Sequence, residues 1–359
     1  MAKLWRPLQR RGGGLWGLVS MLASLAIVGA AILLVAAFAL IAEANRAGPS
    51  QEAATFVVER GQSAAAIGAN LEAAHQIRSA LIFRIATRAY ARGQGLQAGE
   101  YSLPASASLR QIVRMMAEGE ALQHAITFPE GITVAAAMRI IEQSDLLIGD
   151  MPEAPPEGSI LPETYHVQRG MARAALLQQM RAARDAALAE IWAGRQPNLP
   201  LATPEEMAVL ASIVERETGV AAERPMVAAA FVNRIRRSMR LESDPTIIYG
   251  ICRQYPARCR DGRLVDAAGS PRLIRASEIA LNTGYNTYQI DRLPPTPIAN
   301  PGRDALEAVA HPADSNALFF VADGSGGHAF AATVAEHNAN VARWRAIEAQ
   351  RLAEERAGR

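Results

Sequence analysis

From residue 12 to residue 42 the chain reads "GGGLWGLVSMLASLAIVGAAILLVAAFALIA", without a single charged side chain. About 20 apolar residues suffice to cross the hydrocarbon core of a bilayer. The stretch therefore predicts a transmembrane helix over 12–42. Lys3, Arg6, Arg10 and Arg11 precede it. By the positive-inside rule, residues 1–11 stay in the cytoplasm and everything after about residue 45 lies across the membrane. "AEA" at 42–44 fits a signal-peptidase site, but the apolar run is about twice the length of an ordinary signal core. An uncleaved anchor is the expectation.

Composition narrows the chemistry. The chain has 359 residues, half of them hydrophobic, enough for an anchor and two or three compact domains. A net charge of +2 with no clustered basic face argues against nucleic acid. Lys3 is the only lysine, which removes phosphate-binding GK[ST] loops, Ser-x-x-Lys acyl enzymes and Schiff-base lysines from consideration. The six histidines (75, 124, 166, 311, 328 and 337) show no metal-ligand spacing, and no HExxH motif is present. No metal or cofactor is expected. Cys252 and Cys259 predict a local disulfide in an oxidising compartment.

Beyond a polar linker at 43–54, a short β-rich run, a glycine turn and a helix follow one another from residue 55. The same grammar returns near 99 and near 125. Longer helices are predicted over 167–194, 203–218, 223–239 and the polar C-terminus, with a turn-rich stretch from 240 to 332. Thr203-Pro204-Glu205-Glu206 is a strong helix start, with Thr203 as N-cap and Glu206 in the capping-box position.

"ASIVERET" at 211–218 places two glutamates beside an apolar stripe. At about 100° per residue, Met207, Leu210, Ala211, Val214 and Thr218 share the core face, and Glu215 and Glu217 flank it on opposite sides. Periodicity does not choose between them. Glu215 shares its side with the small Ala208 and Ser212, which leave room for a ligand, whereas Glu217 sits beside Ile213 and Glu206. A carboxyl in the last turn is also disfavoured as an anion by the helix dipole. A protonated glutamate there can act as a general acid; two ordinary solvated helix-end side chains are the plainer reading of the spacing.

"LASIVERET", "VAAAFVNRI", "MRLESDPTIIYG", "YNTYQIDRLPPTPIANPG", "AVAHPADS" and "FFVADGSGGHAFAATVAEHN" follow in order. This series resembles the endolytic murein transglycosylase family, called MltG or YceG-like, over about residues 55–345. The resemblance implies an α+β protein with an N-terminal transmembrane helix. LysM-like small α/β units would span 55–124, a mixed α+β catalytic domain 125–345 and a tail 346–359. It implies a single-pass inner-membrane protein, with the catalytic domain in the periplasm. Its substrate would be peptidoglycan glycan strands, and peptidoglycan synthases are candidate partners. Such a lyase cleaves the β-1,4 bond between N-acetylmuramic acid and N-acetylglucosamine without water, leaves 1,6-anhydro ends, and terminates nascent strands.

In that comparison Glu215 takes the catalytic slot, and Glu217 is a helix-end side chain with at most a supporting role. The resemblance also nominates as substrate-binding Glu163, Tyr165, Asn233, Asp244, Thr246, Tyr249, Asn286, Thr287, Tyr288, His328, Phe330 and Asn338. Polar groups with an interleaved aromatic suit a sugar's hydroxyls and C–H faces. Arg292 stands where the family usually has glycine before "LPP", a change expected to narrow or recharge the cleft rim. Residues 252–275 look like a local insertion. Two other readings stay open: a muramidase-type hydrolase pairing Glu215 with Glu163 or Asp244, and a non-catalytic wall-binding scaffold.

Overall fold

The computed structural model describes residues 14–91 and 93–357 and is a mixed α+β structure with an N-terminal apolar helix. Lys3, Arg6, Arg10 and Arg11, on which the orientation of the anchor was argued, lie outside the described residues. The chain forms two compact units, one of residues up to Gln123 with Gln168–Gly170, the other of His124–Val167 with the chain from Met171 onward.

The first unit begins with α1 (Gly14–Asn45), the one described helix long and apolar enough to cross a membrane. Its large apolar side chains, Leu33 and Phe38 among them, stand exposed, as a lipid-facing helix requires. Then come β1 (Ala54–Val58), α2 (Ala64–Ala73), α3 (Ala80–Tyr90), β2 (Gly99–Leu103) and α4 (Leu109–Glu118). β1 and β2 pair antiparallel with Phe56 opposite Tyr101. Ser63, Ser79 and Ser108 each cap the helix that follows by accepting a backbone N–H. Residues 43–54 are not a free linker. Ala44 is buried in this unit's core, and Gly48 N–H donates to the Ser106 carbonyl at 2.9 Å while Ser106 N–H donates to that of Ser50 at 2.7 Å.

The second unit contains β3 (Gln123–Thr127), α5 (Val134–Gln143), β4 (Leu147–Ile148), β5 (Thr164–Gln168), β6 (Met171–Ala172), α6 (Arg173–Gly194), α7 (Pro204–Glu217), α8 (Arg224–Arg236), α9 (Asp244–Gln254), β7 (Cys259–Arg260), β8 (Arg263–Leu264), α10 (Ala276–Ile279), α11 (Arg303–Ala310), β9 (Phe319–Ala322), β10 (His328–Ala331) and α12 (Val334–Ala357). β3 pairs with β5, and β9 with β10. α6 starts later than the sequence pattern indicates, because Gly170 turns the chain at φ 87° before the helix can begin. α9 and α11 occupy what reads in sequence as turn-rich chain; α9 opens on Pro245 in its first turn.

α7 is central. Met207 to Val214 are all buried, around the helix as well as along one face. α8 packs on it through Val227, Phe231 and Ile235, and α11 through Leu306 and Val309, in one apolar cluster. Its N-cap is as the sequence indicates: Thr203 Oγ1 accepts Glu206 N–H at 3.1 Å. Cys252 and Cys259 are bridged, Cα to Cα 5.4 Å, at the base of the β7–β8 hairpin.

Candidate active site

The two glutamates at the end of α7 have opposite surroundings. The small residues beside Glu215 do not open space for a ligand. Ala208 and Ser212 are buried, and Ala208 shares an apolar cluster with Ile298. Ser212 Oγ accepts Ile298 N–H at 3.0 Å. Further along the same side, Gly302 N–H donates to Glu215 Oε2 at 2.9 Å. A Cβ at Gly302 would crowd the Glu130 carboxylate, which would have to shift. Glu215 Oε1 accepts from Arg224 Nη2 at 2.9 Å, and that guanidinium also reaches Glu130 at 2.8 Å and Asp304 at 3.4 Å. The Glu215 side chain is 4% exposed. Burial pushes its carboxyl upward, against the opposing Gly302 N–H and Arg224. Both oxygens are committed to fixed donors.

Glu217, two residues on, lines a cavity of about 410 Å³ shared with Arg234, Asp244, Tyr288, Phe320 and His337. Ser243 donates its hydroxyl to Glu217 Oε1 at 2.6 Å, and Oε2 has no hydrogen-bond partner among the described residues. Burial raises the carboxyl to about 7; the Ser243 hydroxyl opposes the shift, and the neighbouring Asp244 charge adds to it. A glutamic acid that keeps its proton near neutral pH, with one oxygen turned to an open cavity, is equipped as a general acid.

The cavity walls are fixed from behind. Ser243 N–H donates to Thr287 Oγ1 at 2.9 Å, and Thr287 N–H to Thr246 Oγ1 at 3.1 Å, in a buried network. Tyr288 donates its hydroxyl to Asp244 Oδ1 at 2.9 Å. Arg234 holds β9 and the 240–242 turn by donating to the carbonyls of Leu318 at 2.6 Å and Arg240 at 2.9 Å, and it pairs with Glu242 at 2.9 Å. His337 stacks on Phe319 at 5.2 Å and 26°. Its Nδ1 is buried and has no partner among the described residues.

The sequence profile of the YceG-like family matches residues 56–343. The chain belongs to the YceG-like family. Relatives named endolytic murein transglycosylase include one from Streptococcus pneumoniae strain D39, 26% identical over 344 residues, covering 82% of this chain and 58% of that protein. Another, from Bacillus subtilis strain 168, is 32% identical over 134 residues, covering 37% of this chain and 32% of its own length. The chain thus spans little more than half of the pneumococcal relative and about a third of the Bacillus one. A crystal structure of a YceG-like protein from Listeria monocytogenes is similar at 26% identity and a TM-score of 0.45, over 80% of this chain and 99% of that one.

Among the residues that the YceG-like resemblance nominates, only Asp244 and Tyr288 line the cavity with Glu217. Thr246, Asn286 and Thr287 are fully buried supports; Asn286 Nδ2 donates to the carbonyls of Ile279 at 2.9 Å and Leu281 at 2.8 Å. His328 stands behind, its Nδ1 2.7 Å from Glu223, and Phe330 packs on the main core. Asn233 ties α8 to the chain beyond α11 by donating to the Ser315 carbonyl at 2.7 Å. Tyr165 is a core residue: its ring meets Phe128 edge-on and its hydroxyl donates to the Leu161 carbonyl at 2.8 Å. Glu163 and Asn338 are exposed and outside the cavity, and Tyr249 lines a different one. Arg292 does not recharge a rim. Its φ is 60°, which explains why glycine suits the position, and its guanidinium donates to the Pro200 carbonyl at 2.9 Å. Ser243, Arg234 and His337 had no sequence signal beyond their place in the matched motifs.

Proposed function

We propose that the chain is a membrane-anchored endolytic murein transglycosylase whose acid and base is Glu217, the role that the sequence comparison gave to Glu215. The observation that carries this reading is the free oxygen of a protonated Glu217 facing a cavity wide enough for a sugar. The immobilised Glu215–Arg224 pair is read as structural. Protonated Glu217 donates to the glycosidic oxygen as the bond from muramoyl C1 to that oxygen breaks. The resulting carboxylate takes the proton of the muramoyl C6 hydroxyl as its oxygen closes on C1. The proton returns to where it began, and no water is consumed. Asp244, on the wall of the same cavity, is assigned to the positive charge that develops at C1.

The names of the relatives support the substrate class, and the apolar α1 supports the anchor. The LysM-like reading of 55–124, the periplasmic orientation, the termination of nascent strands and the synthase partners belong to this proposal as well. A hydrolase using Glu217 with Asp244 is the second reading, because both carboxyls line one cavity. Digestion of purified glycan strands in ¹⁸O-water separates the two. The transglycosylase gives anhydro ends without label or the added mass of water, whereas labelled reducing ends would establish the hydrolase.

A further inference from the structure

A second cavity, of about 300 Å³, runs along the Pro245–Ile248–Tyr249–Cys252 face of α9. The ends of two helices serve both cavities. Arg216 lines this one and Glu217 the other, and Pro245 lines this one and Asp244 the other. The β7–β8 hairpin, held by the disulfide, closes the side with Cys259, Asp261 and Gly262.

The polar groups here are unevenly matched. Glu157 Oε1 accepts Val134 N–H at 2.7 Å and Asn300 Nδ2 at 2.9 Å. These bonds pin the carboxyl, and Oε2 has no partner among the described residues. Arg139 is matched by Asp261 at 2.7 Å. Arg216 and Arg253 have no ion pair among the described residues. Arg216 makes one long contact, 3.5 Å to the Gly131 carbonyl, and burial together with the neighbouring Arg263 lowers its affinity for its proton. Burial raises Glu157 to about 7, so near neutral pH it is only partly ionised and offsets only part of the positive charge.

We infer that this cavity binds the carboxylate-bearing peptide attached to the muramoyl residue, with Arg216 and Arg253 on the carboxylate and the free oxygen of Glu157 on a peptide amide. The inference rests on the proposed peptidoglycan reading. Guanidinium forks match carboxylate geometry. A peptide also places an amide N–H at a distance from its carboxylate, so that one ligand can reach both the arginines and the pinned carboxyl oxygen. Tyr249, Ile248 and Ile298 give an apolar flank for the side chain between those groups. The site selects strands that still carry peptide and sets the muramoyl residue beside Glu217.

The test is calorimetric titration of the full chain in detergent with N-acetylmuramoyl-L-alanyl-D-glutamate, with its fully amidated form, and with inorganic phosphate. The free acid should bind. The amidated form should bind about tenfold more weakly, as should the free acid to R216Q/R253Q, the loss of roughly one charge-assisted hydrogen bond. Thermal melting checks that the double variant is folded, since Arg253 also lies over the Tyr285 ring at 5.6 Å. Phosphate should not compete. Absence of binding by wild type, equal affinity in the double variant, or equal affinity for phosphate would overturn the inference. A wild type that cleaves no glycan strand would defeat the transglycosylase reading and leave the titration to decide this one separately.

Discussion

Ser243 Oγ lies 2.6 Å from Glu217 Oε1 and donates to it, while Ser243 N–H is held by Thr287 Oγ1 at 2.9 Å. A hydroxyl donor favours the charged carboxylate, so it pulls Glu217 down while burial and Asp244 push it up to about 7. Proton affinity at Glu217 is a balance between these neighbours.

Replacing Ser243 with Ala removes the downward contribution. The alkaline limb of the pH–rate profile, where the acid loses its proton, should move up by about one pH unit, the equivalent of one hydrogen bond. Maximal rate at low pH should fall less than tenfold. A profile with the wild-type alkaline limb would show that Ser243 does not tune the acid.

Glu217 should also cost the fold stability in a pH-dependent way. Its folded proton affinity, about 7, exceeds the ordinary value of 4.5. The penalty is absent below about 4.5, grows as pH rises toward 7, and is complete above it. Glu217→Gln should therefore be more stable than wild type by about 1–3 kcal/mol at pH 8, with the gap closing by pH 4.5. Thermal melts across that range check the sign, and a gap independent of pH would contradict the burial argument.

Arg224 is expected to be structural. Replacing it with Met strands the buried Glu215 carboxylate, at a cost of about 3–5 kcal/mol. That corresponds to a fall in melting temperature of roughly 6–20 °C for a unit of this size. The double variant R224M/E215M should recover most of the loss, because an apolar pair leaves no orphaned charge. A single variant that melts like wild type would remove the ion pair from the account.

Much of the path to this site was legible in local chemistry. Thr203 and Pro204 mark the start of α7, the uncharged run marks α1, and the spacing of Cys252 and Cys259 marks their bridge. The surroundings of Glu215 and Glu217 were not. A helical wheel gives each its side, but what arrives on that side comes from residues 298–302 and from Arg224, and no periodicity within α7 encodes them. Ala208 and Ser212 look in sequence like room for a ligand and are in fact room for a packed backbone. Tyr165 shows the same limit: its hydroxyl is satisfied by the Leu161 carbonyl four residues earlier and its ring packs in a core, a placement that local pattern does not encode.

The most direct measurement is the rate of anhydro-end formation on purified glycan strands by Glu217→Gln, checked by its melt to be folded. Glutamine keeps the shape but has no proton to give the leaving oxygen and cannot take one from the C6 hydroxyl, so the rate should fall by at least ~10²–10⁴-fold. A folded Glu217→Gln protein that forms anhydro ends at the wild-type rate would contradict the account and return the chemistry to Glu215 or another carboxyl.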